Sequence, residues 1–302
     1  MATQSSPLHI VLFPFLAHGH LLPMADVARI FALHGVKCTI LTTRGNVTYI
    51  ETTIEQTNEY LKSKNEPSHM PISISLIHFP SAEIGLPEGI ENASASSSRE
   101  IQQKFFQGLF LLEKPFEQKL KEINPDAFVS DTFFAWSANV SARTSIPRLV
   151  FNGTGLLAHC GQDVVCEILE SLPDDVDKFV IPGLPHQFEM HRSQHLFTLK
   201  NKHILSAIKR NSEMDARSYG VIVNSFLDLE ADYVVHWRDV VRRKAWLVGP
   251  VALCNEKGIE KSSRGGATTS IGIEELLHWL DSKHTGTVVY ICFGSIANLN
   301  TS

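Results

Sequence analysis

The feature that most constrains the fold is a regular alternation of short apolar runs with longer amphipathic segments from residue 9 onward. Predicted strands cover residues 9–15, 37–42, 72–79, 127–131, 148–151, 220–224 and 245–248. Predicted helices cover about 21–34, 48–63, 98–123, 135–144, 156–172 and 204–217. This order is typical of βαβ units, so we predict an α/β fold with a doubly wound, mainly parallel sheet.

The composition changes after the Gly249-Pro250 break, where residues 255–270 are rich in Gly, Ser, Thr and Lys. We therefore predict a first domain over 1–250, a linker over 251–270 and the start of a second domain over 271–302. A helix over 273–282 and a strand over 288–293 would open that second domain. One helix and one strand cannot form a domain, so we expect the 302 residues to stop within it.

The overall composition narrows the class of protein. The 302 residues are 43% hydrophobic and carry a formal net charge of −5, so we expect a globular protein that does not bind nucleic acid. The first residues lack the basic region of a signal peptide, which predicts a cytoplasmic protein without a membrane segment. The five cysteines are scattered, mostly within apolar runs such as 288–293, and we interpret them as small buried side chains.

Polar side chains follow three of the predicted strands, where a parallel sheet places its ligand crevice. His20 follows the first strand, Asp131 ends the fourth, and residues 151–155 form a Gly-rich turn after the fifth. A histidine oriented by a carboxylate is a general base. No Gly-x-Ser-x-Gly motif supplies a protein nucleophile, so the hydroxyl of a substrate is expected to attack. His18, two residues before His20 on an extended backbone, would face the opposite side.

Seven runs of sequence resemble, in order, the motifs of plant secondary-metabolite UDP-glycosyltransferases of family 1. They are residues 13–23 (FPFLAHGHLLP), 130–136, 146–151, 223–226 with 229–230, 246–250, 279–281 and 288–295. Each run by itself is common, but the ordered set spans the whole chain. The context of His20 and Pro23 resembles the subgroup that glycosylates phenolics, flavonoids and terpenoids.

The resemblance implies a GT-B architecture, in which a Rossmann-like N-terminal domain binds the acceptor and a second Rossmann-like domain binds the UDP-sugar. It implies that His20 is the base and that Asp131 orients it, while the acceptor oxygen attacks the anomeric carbon with inversion. The residues implied to contact the acceptor are Phe15, Glu83, Leu86, Phe133 and Thr154, and those implied to contact the donor are Gly19, Gly294 and Ser295. Residues 83–88 would form a loop at the mouth of the acceptor pocket.

The resemblance also implies which ligands and partners to expect. The substrates are a small aglycone and a UDP-sugar, with glucose as the family default, and no metal or other cofactor is implied. The full-length protein is expected to be a monomer. The main donor-binding segment of the family would follow residue 302, so we expect residues 1–302 alone to bind acceptor weakly and to catalyse nothing measurable.

Three other interpretations stay open at this point. Gly153, Gly155 and Ala158 fit the G-x-G-x-x-A dinucleotide motif, which favours an NAD(P)-dependent oxidoreductase, although that motif belongs after the first strand. The chain could also be a non-catalytic acceptor-binding module. His191 and His195 have the spacing of two metal ligands on a helix, but their polar surroundings favour a solvated surface. The sequence leaves open which acceptor and which sugar are used.

Overall fold

The computed structural model describes residues 7–64, 69–95, 98–151, 153–255 and 272–292. The strands are His9–Phe13 (β1), Lys37–Thr42 (β2), Ile72–Leu76 (β3), Ala127–Asp131 (β4), Arg148–Phe151 (β5), Lys178–Ile181 (β6), Phe188–His191 (β7), Gly220–Val223 (β8) and Ala245–Leu247 (β9). The helices are His18–Leu33 (α1), Arg44–Val47 (α2), Glu51–Lys64 (α3), Arg99–Leu111 (α4), Glu113–Ile123 (α5), Ser137–Thr144 (α6), Leu156–Ser171 (α7), Leu196–Lys200 (α8), Lys202–Ala216 (α9), Leu227–His236 (α10) and Ile273–Asp281 (α11). Among these helices, none combines the length and apolar character needed to cross a bilayer.

The chain forms two compact units. The first comprises Met1–Phe15 with Glu113–Leu253, and the second comprises Leu16–Leu112 with Cys254–Ser302. Most of the linker predicted over 251–270 lies outside the described residues. The predicted division into domains at residues 250 and 270 therefore stays a prediction.

The predicted parallel α/β class is confirmed. Five strands of the seven-stranded sheet belong to the first unit, in the order β1-β4-β5-β8-β9, and two, β2 and β3, belong to the second. In this sheet each pairing within a unit is parallel, with Phe13 opposite Ser130, Asp131 opposite Phe151 and Cys38 opposite Ile72, whereas β6 and β7 form a separate antiparallel pair. Because the strands of the first unit run the same way, the turns after β1, β4 and β5 leave the sheet at one edge.

A cluster of aromatic side chains forms the core of the first unit below that edge. The ring of Phe13, fully buried, stacks on Phe134 at 4.2 Å and on Phe116 at 4.7 Å between centroids. Phe128 and Trp136 pack edge-on against Phe116. Aromatic rings bury large areas and hold defined mutual orientations, so the ends of β1 and β4 are joined by a stiff core.

The first helix starts earlier than predicted. Residues 18–20 form the first turn of α1, with Ala17 in extended conformation before it, whereas the sequence predicted a start near Leu21. The argument that His18 lies on an extended backbone is therefore wrong. Residues i and i+2 of a helix are about 200° apart around its axis. His18 and His20 therefore still point in nearly opposite directions.

The long helix predicted over 98–123 is two helices, α4 and α5, which meet at Leu112. Pro115 explains the break. A proline has no N–H to donate, and its ring collides with the carbonyl of the residue four positions earlier, which is Leu111. A proline is accepted in the first turn of a helix, where N–H groups have no helical partner, and Pro115 occupies the first turn of α5.

The strand predicted over 288–293 is wrong within the described residues 288–292, which are irregular. Val289, Tyr290 and Ile291 are 82%, 87% and 70% exposed. An apolar run becomes a strand only when a neighbouring strand pairs with it, and no pairing involves this segment among the residues described. Residue 293 lies outside the described residues.

The buried-cysteine prediction is confirmed for Cys38, Cys160 and Cys166, whereas Cys254 is partly buried and Cys292 is exposed. Burial raises the pKa of Cys38 to about 12. Burial, with a smaller effect of Glu230, raises the pKa of Cys160 to about 11. Neither thiol is a thiolate at neutral pH, so neither is an activated nucleophile.

Gly108 brings α4 into close contact with the segment that contains the predicted acceptor loop. A Cβ on Gly108 would lie 2.7 Å from Ile84 Cδ1 and 2.8 Å from Phe79 Cζ. Phe79 is 1% exposed and has little room to move. The missing side chain at residue 108 therefore lets the helix support the loop.

We predict opposite effects of alanine at two helical glycines. Gly108→Ala should lower the free energy of unfolding by about 1 kcal/mol, because overpacking outweighs the helix-propensity gain. In Gly161→Ala, the matched control in α7, the new Cβ meets only Leu184 Cδ1 at 3.8 Å. This variant should be up to about 1 kcal/mol more stable than the wild type. Urea unfolding of the three proteins measures the difference, and equal stabilisation by both changes would contradict the close contact.

Candidate active site

Asp131 is the last residue of β4 and is 1% exposed. Its Oδ1 accepts a hydrogen bond from the backbone N–H of Phe133 at 3.0 Å. The carboxylate thus fixes the turn after the strand, but it does not cap the following helix, because α6 begins only at Ser137. This bond connects the end of β4 to the turn that follows it.

Two predicted acceptor-contacting residues, Phe15 and Phe133, stack on each other with ring centroids 4.5 Å apart. Phe15 is 2% exposed, whereas Phe133 is 44% exposed. Phe133 therefore presents an aromatic surface backed by a buried ring, two residues after Asp131 in the sequence. Such a surface suits a flat aromatic ligand.

Thr154, the third predicted acceptor contact in the first unit, is exposed in the turn between β5 and α7. Gly153 in this turn has a φ of +76°, a conformation that glycine adopts without a steric penalty. The first turn of α7 follows directly.

Glu230 binds the N-terminus of α7. Its Oε2 accepts from Leu156 N–H and its Oε1 from Leu157 N–H, both at 2.9 Å. Burial opposes ionisation of Glu230, but the amide of Leu157, the hydroxyl of Ser225 and the amide of Leu156 outweigh it, so the pKa of this carboxyl lies below its ordinary value. A Cβ on Gly155 would lie 2.6 Å from Glu230 Oε1, which explains the glycine.

The contact with Glu230 removes the structural basis of the dinucleotide interpretation. In a dinucleotide site the N–H groups of this helix end bind the pyrophosphate. In this protein two of those groups bind a protein carboxylate. A phosphate would have to displace Glu230 and approach a residual negative charge.

The first unit also contains an apolar cavity of about 530 Å³ that the sequence did not predict. It lies between α7, the antiparallel β6–β7 hairpin and α9, and its lining includes Leu157, Val165, Leu169, Phe188 and Ile208. Its volume is in the range of small-molecule sites. The sequence contains no clear signal for the hairpin, because its two strands, Lys178–Ile181 and Phe188–His191, have only four residues each. An alternating pattern of that length is too short to recognise.

In the second unit, His20 lies in the first turn of α1. Its backbone N–H donates a hydrogen bond to the carbonyl of Ala17 at 3.0 Å. Two contacts hold the surrounding backbone. The His18 ring packs edge-on against Tyr49 with centroids 3.9 Å apart, and the N–H of Ala93 donates to the Leu16 carbonyl at 2.8 Å. His18 is therefore a packing residue.

A buried amide network anchors the segment that contains Ala93. Asn46 donates through Nδ2 to Thr43 Oγ1 at 2.8 Å and to the Glu91 carbonyl at 2.7 Å. Its Oδ1 accepts from Asn92 Nδ2 at 2.6 Å. Glu91 Oε2 in turn accepts from the N–H of Gly45 at 2.7 Å. The network ties α2 to residues 91–93, which hold the start of α1.

The predicted acceptor loop in this unit contains one exposed and one buried site residue. Glu83 is exposed, whereas Leu86 is 6% exposed and fixes the loop. The N–H of Leu86 donates to the Ser81 carbonyl at 2.8 Å, which closes the turn. Glu83 can therefore contact a ligand without a change in the loop backbone.

The predicted donor contacts are described only in part. Gly19 is exposed on the first turn of α1, and a Cβ there would meet nothing within 4 Å. Pro23 cannot donate to the Gly19 carbonyl, which would otherwise form the next helical hydrogen bond. Gly294 and Ser295 lie outside the described residues.

His191 and His195, the alternative metal ligands, lie at the end of β7 and in a following 3₁₀ turn, not on one helix. Within the part of the chain that the structure describes, no group of three or more His, Cys, Asp and Glu side chains could hold a metal. His20 belongs to one compact unit and Asp131 to the other. Their pairing, and the assignment of the acceptor and donor contacts, stay predictions.

We predict that Glu230→Gln lowers the free energy of unfolding at pH 7 by about 1–2 kcal/mol, because it removes the charge that binds the helix N-terminus. A lowered carboxyl pKa stabilises the fold above the unfolded value of about 4.5 and loses that effect as the pH falls through the folded value. The difference between variant and wild type should therefore shrink below about pH 4.5.

Urea unfolding between pH 3 and 8 measures this difference. Glu189→Gln is the control, because Glu189 pairs with Lys178 on the exposed hairpin surface, and its unfolding midpoint should not change. A constant difference between Glu230→Gln and wild type at all pH values would contradict the role of the charge.

No family model matches the chain. An anthocyanin 3'-O-beta-glucosyltransferase of Gentiana triflora is 41% identical over 303 residues, covering 98% of this chain and 61% of that protein. A scopoletin glucosyltransferase of Nicotiana tabacum is 39% identical over 304 residues, with the same two coverages of 98% and 61%. The crystal structure of UGT73P12 of Glycyrrhiza uralensis, complexed with glycyrrhetinic acid 3-O-monoglucuronide, matches with a TM-score of 0.77 and 34% identity, covering 92% of this chain and 55% of that one.

The chain thus spans about three fifths of the length of the curated relatives that it matches, at 61% of each. The similarity extends over nearly all of its own length, and the fold agrees with that of the solved relative. Along nearly all of its length the chain is similar to plant UDP-glycosyltransferases, of which it spans about three fifths.

Proposed function

We propose that the chain forms the acceptor-binding part of an inverting UDP-glycosyltransferase. The enzyme transfers a sugar, with glucose as the first choice, from UDP-sugar to a hydroxyl of a small plant aglycone such as a flavonoid, a phenolic or a terpenoid. The observation that carries this proposal is the identity of 41% and 39%, along 98% of the chain, to two glucosyltransferases whose names specify an anthocyanin and scopoletin.

In the proposed reaction, His20 removes the proton from the acceptor hydroxyl as its oxygen attacks the anomeric carbon. The bond to the UDP oxygen breaks on the opposite face, so the configuration is inverted and UDP leaves. The Asp131 carboxylate would accept a hydrogen bond from the other ring N–H of His20. This bond would fix the tautomer of the imidazole and stabilise the imidazolium. A phenolic acceptor, with a pKa of about 10, needs less assistance than an aliphatic alcohol.

The acceptor would lie against the exposed face of Phe133, with Phe15 behind it; the other proposed acceptor contacts are Thr154 in the first unit and Glu83 and Leu86 in the second. The 44% exposure of Phe133 beside a buried carboxylate supports this placement. The donor diphosphate would approach Gly19 at the start of α1, where the helix N-terminus favours an anion, and would reach Gly294 and Ser295. We propose that no metal or further cofactor takes part.

We predict that His20→Ala lowers turnover with UDP-glucose and a phenolic acceptor about 10²- to 10⁴-fold, the usual contribution of a general base. Acceptor binding, followed by quenching of tryptophan fluorescence, should persist. Asp131→Asn should also lower the rate, because it removes the charge that stabilises the imidazolium. Two proteins are assayed: residues 1–302, and the product of the full coding sequence that contains them. Both are needed because the relatives are longer than this chain.

His18→Ala is the matched control, because it removes an imidazole two positions away that packs on Tyr49. It should retain turnover. Equal rates for His20→Ala and wild type would rule out the proposed base. Turnover by residues 1–302 alone would contradict the expectation that this part is inactive without further sequence.

We also propose that the full-length enzyme is a monomer in the cytoplasm. Its mass in solution and the distribution of a fluorescent fusion in plant cells would test these two points.

A further inference from the structure

A buried ion pair lies next to the strand end that holds Asp131. The Arg148 side chain is fully buried, and its Nη2 lies 2.9 Å from Asp215 Oδ1. Burial lowers the pKa of Arg148 and raises that of Asp215, and in each case the partner's charge opposes the effect. Buried ion pairs often contribute little net stability, because desolvation offsets the attraction. The position of this pair therefore calls for another explanation.

Arg148 binds the residue before Asp131. Its Nε donates to Ser130 Oγ at 2.8 Å. Ser130 Oγ also shares a hydrogen bond of 2.9 Å with Ser137 Oγ. Since Ser137 uses its only hydroxyl proton on the Phe134 carbonyl, at 2.6 Å, Ser130 must be the donor to Ser137. The Ser130 hydroxyl thus accepts from Arg148 and donates to the first residue of α6.

Asp215 binds the residue after Asp131. Thr132 Oγ1 donates to Asp215 Oδ2 at 2.5 Å, while the other oxygen of Asp215 accepts from Arg148. The guanidinium is itself fixed, because its Nη1 donates to Ser218 Oγ at 2.8 Å and to the Met214 carbonyl at 3.3 Å. The two residues that flank Asp131 are therefore bound to the two members of one ion pair.

We propose that Arg148 and Asp215 are positioning residues that aim the Asp131 carboxylate by clamping Ser130 and Thr132. This inference rests on the proposed role of Asp131 in orienting the catalytic base. Side chains must be held within about 0.5 Å of the productive geometry to be effective in catalysis. The ladder between β1 and β4 stops at Ser130, and Asp131 pairs with Phe151 of β5, so a clamp on both neighbours adds restraint where one side of the ladder has ended.

The decisive variant removes the clamp and leaves every charge in place. Ser130→Ala with Thr132→Val deletes the two hydroxyls and keeps Arg148, Asp215 and Asp131. The matched control is Ser141→Ala with Thr144→Val in α6. These residues also use their hydroxyls, on the carbonyls of Ile146 and Val140 at 2.7 and 2.8 Å, but they do not bind the ion pair. Ser130→Thr with Thr132→Ser keeps both hydroxyls and should rescue every effect.

The first measurement is hydrogen exchange of the Phe133 amide, which donates to Asp131 Oδ1, in protein labelled with ¹⁵N-phenylalanine. Loss of the clamp should raise its exchange rate about tenfold, the effect of weakening one hydrogen bond. Phe128, inside β4, corrects for any global loss of stability, since its amide donates to the Pro147 carbonyl. The control double variant should exchange as the wild type does.

The second measurement is the pair of ring ¹⁵N shifts of His20, taken at the high-pH limit where they no longer change and assigned with His20→Gln. These shifts report the tautomer, which the hydrogen-bond partner of the ring selects. Asp131→Asn should move them toward a mixture of tautomers. The clamp variant should move them in the same direction without any change of charge, and the control double variant should not.

The outcomes separate the two proposals. If Asp131→Asn leaves the His20 shifts unchanged, the proposed pairing of His20 with Asp131 fails. If Asp131→Asn moves the shifts but the clamp variant does not, the positioning inference fails. An unchanged exchange rate at Phe133 in the clamp variant also overturns the inference, whatever the result at His20.

Discussion

The parallel pairing of β1, β4 and β5 is the constraint on which the rest of the first unit depends. Parallel strands place their carboxyl ends at one edge, so the chain leaves the sheet there beside Phe15, at Asp131 and before Gly153. The strand pairing alone brings these three positions to the same edge, and no contact between their side chains is needed. The stacking of Phe13 on Phe134 and Phe116 then stiffens that edge. The proposed acceptor contacts of the first unit thus lie at an edge whose position backbone hydrogen bonds already determine.

The sequence predicts what depends on local pattern and on motif order. Apolar periodicity predicted the strands of the parallel sheet, and the motifs that contain His20 and Asp131 predicted the similarity to plant UDP-glycosyltransferases. The placement of Asp131 at the end of β4 followed from the boundary of a short apolar run. These features are local, and each needs only a few consecutive residues to be recognised.

What the sequence could not predict depends on partners distant in the chain. Arg148 and Asp215 are 67 positions apart, and neither residue by itself differs from a surface charge in the sequence. Pro115 was a visible signal for the break between α4 and α5, but the apolar pattern on both sides masked it. Val289 to Ile291 have the composition of a buried strand and lack, among the residues described, the neighbour that would make them one.

Glu230 illustrates how one contact distinguishes two functions that share a motif. The glycines at 153 and 155 fit a dinucleotide turn by sequence. Yet Gly153 provides the positive φ of the turn, and the missing side chain of Gly155 leaves room for a protein carboxylate whose oxygen lies 2.6 Å from where a Cβ would be. A glycine motif specifies that something comes close to the backbone. It does not specify whether that group is a ligand or another part of the chain.

The amide network around Asn46 has a consequence for exchanging substrate specificity between relatives. Residues 43–46 and 91–93 share buried polar groups that satisfy one another, and the second of these segments adjoins the loop that contains Glu83. A chimera that imports the loop together with foreign residues at 91 and 92 would leave Asn46 with mismatched neighbours beneath the start of α1. Grafts that end at Ile90, or that carry both segments as one cassette, avoid that fault.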